Sequence, residues 1–156
     1  MVLLYPTTNN LNQGIVGTHG GSGANHGFAV DISTTGEYRI LFANGDNFTK
    51  IVNIGSMVAV NSWQLLYYHM NVVNTGNGFV FYNNGSTYNP VVSFPSPSSA
   101  DASYRLQVGA RGNLNTPLVN NSRIAAFAFW NVASPHTTSQ LNNVRTRLKE
   151  RFTTLP

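Results

Sequence analysis

Five carboxylates (Asp31, Glu37, Asp46, Asp101, Glu150) and four histidines (His19, His26, His69, His136) supply nearly all the acid–base and metal-binding chemistry this chain could do. It holds no cysteine, so disulfides, thiolate metal sites and cysteine nucleophiles are excluded. Glycoside hydrolysis normally needs two carboxyl groups about 5–10 Å apart. No two acids here sit at i, i+2 on a strand, and Asp31 and Glu37 only flank one hairpin. No Gly-x-Ser-x-Gly elbow supports a nucleophilic triad. The run "GTHGGSGANHG" carries His19 and His26 without a third ligand, so it reads as loop rather than metal site. It also lacks the Gly-Lys-Ser/Thr ending of a phosphate loop. Calcium takes several oxygen ligands, usually including carboxylates. Only "NGDN" is a compact oxygen-rich loop, which makes Asn44, Asp46 and Asn47 a weak calcium candidate and first of all a hairpin turn. The expectation is a chain without catalytic residues or an obligate cofactor.

Binding is the remaining option. A sugar site would set an aromatic platform beside amides and hydroxyls, and Tyr67, Tyr82, Tyr88 and Tyr104 are its candidates. Aromatics on alternating strands also build sandwich cores, so both readings stand for these four.

The elements that must position these groups are short strands. Hydrophobic residues make up 42% of the 156 and charged ones only 9%, against roughly 25% in ordinary soluble domains. Asparagine, serine, threonine and glycine take their place, a composition suited to strands joined by tight turns. Alternation or β-rich runs predict strands over 27–33, 37–43, 48–54, 57–60, 62–73, 79–83, 90–94, 104–110 and 122–131, with a type I′ hairpin at "NNGS". On 62–73 the residues Trp63, Leu65, Tyr67 and His69 fall on one face, and Leu66, Tyr68 and Met70 on the other. The connections are too short for crossover helices, so neighbouring strands pair antiparallel. The expected division is a loop-like arm over 1–26, an all-β sandwich over 27–133, and an amphipathic helix with its tail over 134–156. Ser134 as N-cap and Pro135 at the first helical position would open that helix. Leu141, Val144, Leu148 and Phe152 form its apolar stripe, to be buried on the sandwich edge or on a neighbouring subunit.

Most of the net charge of +4 lies in the run of Arg145, Arg147, Lys149, Glu150 and Arg151, four basic residues and one acidic. A short basic helix end complements the helix dipole and is no nucleic-acid footprint. No apolar run approaches the ~20 residues of a membrane span, and "MVLLYPTTNN" lacks the basic start of a signal peptide. Neither nucleic acid nor membrane is expected as a partner.

The order of motifs resembles the concanavalin A-like lectin/glucanase superfamily, in its laminin G-like branch. Trp63, Asn84-Gly85, Val108-Gly109, Ile124, Phe127, Phe129, Trp130, Asn131 and Ala133 fall on that branch's pattern, spread over roughly residues 27–145. The branch's glycine before the last strand is replaced here by Asn121 or Ser122. The resemblance implies an antiparallel jelly-roll β-sandwich. A lone lectin-like sandwich without cysteine, with few charges and many asparagines, is expected to be a structural or adhesion module of a virus particle. A bacteriophage capsid decoration or tail-associated protein fits best. It would contact copies of itself, as a trimer, and a shell protein. Its assembly interface would be Leu141, Val144, Arg145, Arg147, Leu148, Lys149, Arg151 and Phe152. The alternative is a free carbohydrate-binding lectin domain, secreted or at a cell surface.

Overall fold

The computed structural model describes residues 1–19, 26–44, 49–70, 79–88, 102, 104–130 and 134–153. Two five-stranded antiparallel sheets face each other. One holds β10 (Arg123–Phe127), β1 (Val2–Tyr5), β6 (Gln64–Met70), β7 (Phe79–Asn83) and β8 (Ser86–Tyr88), in that order. The other holds β5 (Thr49–Met57), β4 (Glu37–Asn44), β3 (His26–Ile32), β2 (Gln13–Gly17) and β9 (Gln107–Val108). The helix α1 (Thr138–Arg151) closes the described chain.

Alternation sorts the side chains as expected. Val2, Leu4, Leu66 and Phe81 of the first sheet meet Ile15, Val30, Ile32, Tyr38 and Ile40 of the second in the main core. Leu3, Leu65, Tyr67 and Tyr82 point the other way, into a smaller cluster on the outer face of the first sheet. A buried polar link joins the two sheets. The Tyr38 hydroxyl donates to Gln64 Oε1 at 2.6 Å, and Gln64 Nε2 donates to the Ala59 carbonyl at 2.6 Å. The hairpin at Asn84-Gly85 has positive φ at both residues (49° and 114°), as a type I′ turn requires.

The N-terminal segment differs from its reading as an arm. Val2–Tyr5 is an inner strand, paired with both β10 and β6, and Gln13–Gly17 pairs with β3 and β9. "VLLY" is too short to show a period. Its partners lie far along the chain, at Gln64–Leu66 and Arg123–Phe127, so no local turn announces it. The strand expected over 104–110 narrows to Gln107–Val108. The strand expected over 90–94 lies outside the described residues.

A glycine decides how the second sheet is covered. The backbone of Ala110 and Arg111 crosses the outer face of β2 at Gly14. A Cβ at Gly14 would come within 2.2 Å of the Arg111 amide nitrogen. Gly14 N donates to the Thr116 carbonyl at 2.7 Å, and Gly109 N to the Ile15 carbonyl at 2.8 Å, so this crossing chain is tied to β2 on both sides. Gly14→Ala is expected to cost about 1–3 kcal/mol or more, because the obstacle is backbone and cannot rotate away. A urea midpoint unchanged from the parent chain would show that the crossing is looser than this.

The helix begins later than its sequence signals. Thr137 is the N-cap: its hydroxyl accepts from Gln140 N, and Gln140 Oε1 accepts from Thr137 N at 2.8 Å. This reciprocal box outcompetes Ser134-Pro135, because it satisfies two end amides at once.

Candidate functional site

The first sheet has an opening. Pairing of β1 with β6 starts at Val2↔Leu66, and pairing with β10 at Val2↔Phe127. Met1 extends the second ladder by one step, exchanging N–H···O bonds with Ala128 at 2.9 and 3.0 Å. Beyond that point β6 runs on through Tyr68, His69 and Met70, and the chain after β10 runs on to Trp130. A cleft of about 300 Å³ opens here. Val16, Phe28, Val30, Tyr68, Met70, Phe127 and Phe129 line its inner side, and Tyr67, His69, Trp130 and His136 its outer rim.

The rim is a connected set of rings. The His136 backbone N–H donates to the Tyr67 hydroxyl at 3.0 Å, and His136 Nδ1 lies 3.1 Å from the same oxygen. The Tyr67 and His136 rings meet edge to face at 5.4 Å, and Trp130 packs on the other side of His136 at 5.3 Å. Burial and the neighbouring His136 lower the His69 pKa from its usual value of 6.5. Burial, then Arg111, lowers that of His19. Both imidazoles hold their protons less firmly folded than unfolded. Stability contributed by these groups is therefore lost as pH falls through about 6.5, where the unfolded chain takes up protons first. The urea midpoint is expected to be lower at pH 5.5 than at pH 7.5, and His69→Gln should flatten that difference. An unchanged slope in the variant would remove His69 from the account.

Tyr68 carries a second anomaly. Its ring lines the cleft, while its hydroxyl is buried and has no hydrogen-bond partner among the described residues. Burial, then Tyr38 and Asp31, pushes its pKa well above the usual range. An unsatisfied buried hydroxyl costs about 1–3 kcal/mol. Tyr68→Phe is expected to leave stability unchanged or raise it by about 1 kcal/mol. A clear loss in thermal denaturation would mean that the hydroxyl has a partner.

The carboxylates do structural work. Asp31 is fully buried on the outer face of the second sheet. Its Oδ1 accepts from Arg39 Nε at 2.8 Å, and its Oδ2 accepts from Arg39 Nη2 at 2.8 Å and from Arg111 Nε at 2.9 Å and Nη2. Glu37 accepts from the Thr35 hydroxyl at 3.0 Å and makes no dyad with Asp31. Asp46 and Asp101 lie outside the described residues. So does most of the calcium candidate, since of Asn44, Asp46 and Asn47 only Asn44 is described, at the end of β4. Among the described residues no group of three or more histidines and carboxylates could hold a metal ion.

Tyr67, Tyr82 and Tyr104, three of the four candidate sugar-site tyrosines, do not share an exposed surface. Tyr67 and Tyr82 are 2% and 0% exposed, buried beneath α1. Tyr82 donates to Asn142 Oδ1 at 2.9 Å. Tyr104 is exposed near β9, in the other sheet. Tyr88 is placed on β8 opposite Phe81, and its side chain lies outside the described residues. The helix covers the sheet face that carries Tyr67 and Tyr82. The same packing takes the first of the two expected places for the helical stripe, its own sandwich. Leu141 is buried against Leu3, Leu65, Tyr67 and Tyr82, with Leu148 and Phe152 beside it, so the stripe docks on its own sandwich. Arg145 lies across the turn at Gly85. Arg147, Lys149 and Arg151 remain exposed, and Val144 is at the limit of exposure.

No family model, no curated protein and no solved structure matches this chain. The cleft residues therefore carry the functional argument by their own chemistry. Phe127 packs against the core while Trp130 is 43% exposed. His136, held by Tyr67, carried no signal in the sequence. Its contacts join residues far apart in the chain.

Proposed function

We propose that this chain is a non-enzymatic structural or adhesion module of a virus particle, a bacteriophage capsid decoration or tail-associated protein built on a concanavalin A-like jelly roll. The observation that carries the binding half of this reading is the opening in the first sheet. It is an aromatic-walled cleft with two imidazoles and, among the described residues, no carboxylate. Such a lining can hold a partner, and among the described residues it lacks the carboxylate pair of a glycosidase. Placement in a virion rests on the charge-poor, cysteine-free composition and on the family resemblance. Tyr104, Leu106, Val108 and Leu114, on and beside β9, are exposed apolar side chains, which supports a protein neighbour. Density-gradient fractionation of the source material, with peptide mass spectrometry on each fraction, tests the placement. The chain is expected to band with a large particle in fixed ratio to a major shell protein. Recovery only among small soluble proteins would end the virion reading.

The second reading is a free carbohydrate-binding domain, favoured by Trp130 on the rim beside His69 and His136. A sugar ring stacked on Trp130 would change its fluorescence, and Trp130→Ala would abolish the change. Trp63, packed edge to face on Tyr5 at 5.3 Å, should contribute a constant background.

A further inference from the structure

A second hollow lies on the outer face of the first sheet, between β10 and α1, and measures about 180 Å³. Leu3, Ala126 and Ala128 line it from the sheet, Val144 and Leu148 from the helix, and Trp130 from the chain that follows β10. The two alanines make the room. Their side chains stop at Cβ, whereas Tyr67 and Tyr82 fill the space around Leu141 beneath the helix. The helix turns a different stripe to each side. Thr138, Asn142 and Arg145 lie over β7 and β8: the Thr138 hydroxyl is 2.8 Å from that of Thr87, Asn142 accepts from Tyr82, and Arg145 lies across the Gly85 turn. Gln140, Val144, Arg147 and Arg151, spaced i, i+4, i+7 and i+11, make the opposite stripe, and Val144 places it on the β10 side. Arg147 and Arg151 are exposed, and so is Arg123 at the start of β10, whose guanidinium sits 5.5 Å above the Tyr5 ring. These three arginines lie toward one end of the sheet, because α1 runs from Tyr67 toward the Gly85 turn and β10 begins at that same end. Glu150 falls opposite Leu141 and is exposed, so among the described residues no side-chain carboxylate stands on this flank.

We propose that this hollow is the docking site for an acidic segment of a different protein, which inserts one apolar side chain between Trp130 and Val144 and sets carboxylates against Arg147, Arg151 and Arg123. The proposal rests on the assembly reading above and gives it a contact surface. Size selects the occupant. Small-molecule sites run to about 300–1,000 Å³. The smaller hollow suits a single anchor side chain, the kind of contact that carries most of the energy of a protein interface. Charge selects it as well. A flank of arginines without a carboxylate repels a basic segment and steers an acidic one into place. A second copy of this chain is a poor complement, since its five acids are scattered singly among nine basic residues.

The test titrates the full chain with a fluorescein-labelled peptide, Asp-Glu-Leu-Glu-Asp, and reads anisotropy. Binding is expected to weaken about tenfold when the leucine becomes alanine, from the lost apolar burial. A Lys-Lys-Leu-Lys-Lys peptide should not bind. Arg147→Glu combined with Arg151→Glu should weaken binding of the acidic peptide about tenfold with the urea midpoint unchanged, because both residues are exposed. Equal affinities for the leucine and alanine peptides, or for the parent chain and the double variant, would overturn the proposal. So would a dimer in sedimentation that Val144→Glu dissolves without lowering the urea midpoint, since a second copy would then fill the hollow. A double variant that still bands with the particle at the parent's ratio would remove the docking site and leave the virion placement standing. Peptide selectivity in a chain that bands with no particle would support the site and end the placement.

Discussion

Asp31→Asn is expected to destabilise the fold by about 3–5 kcal/mol, the usual cost of removing one partner from a buried ion pair. Asp31 has no exposed surface, while the side chains of Arg39 and Arg111 retain 16% and 11%. Both guanidinium groups converge on one carboxylate, so the amide would leave two nearly buried cations facing each other. The damage would be local first. Arg111 lies in the chain that crosses Gly14, and Asp31 is opposite both Gly14 and Arg39 in the ladders. The carboxylate thus pins the crossing chain to the sheet. The urea midpoint of the variant is the measurement, and a shift worth less than about 1 kcal/mol would show that water already reaches the triad. Replacing Asp31 and Arg111 together by apolar residues of similar volume should recover much of the loss, since a buried ion pair is often matched by good apolar packing.

Leu141→Ala is the second large effect, expected at about 2–5 kcal/mol for a leucine removed from a closed site. Leu141 is the buried residue of α1, 1% exposed, and touches the cluster of Leu3, Leu65, Tyr67 and Tyr82. The same substitution at Arg147, which is exposed, should change stability by no more than about 0.5 kcal/mol. Equal effects at the two positions would mean that the helix is not held as described. The packing also changes what truncation should do. Ending the chain after Asn143 would remove Leu148 and Phe152 and uncover the aromatic face beneath them. Lower stability and self-association are expected, rather than an intact sandwich that merely fails to assemble.

Composition and local pattern were enough for the class of fold. Few charges, short alternating runs and turn residues at close spacing leave little besides antiparallel sheets, and β3, β4, β6, β7, the Asn84-Gly85 turn and α1 lie close to where their periods put them. The reason is that alternation and turn chemistry are local, and each is legible within a few residues. Local signals failed where the partner was distant. Val2–Tyr5 was legible only as loop, because what makes it a strand is Gln64–Leu66 on one side and Arg123–Phe127 on the other. Sequence spacing placed Tyr67 on one face of its strand with Trp63 and Leu65, but could not show that Tyr82 would lie beside it or that α1 would cover that face.

By itself, then, the sequence determined an all-β chain without thiol chemistry or a paired-carboxylate motif, ending in an amphipathic helix. Tertiary structure alone decided that the helix spends its apolar stripe on its own sandwich, that Asp31 serves as a strut between two arginines, and that Trp130, His69 and His136 meet at one cleft. Each of these depends on contacts between residues tens of positions apart. Periodicity records which way a side chain points, and only the packed chain shows what stands opposite it.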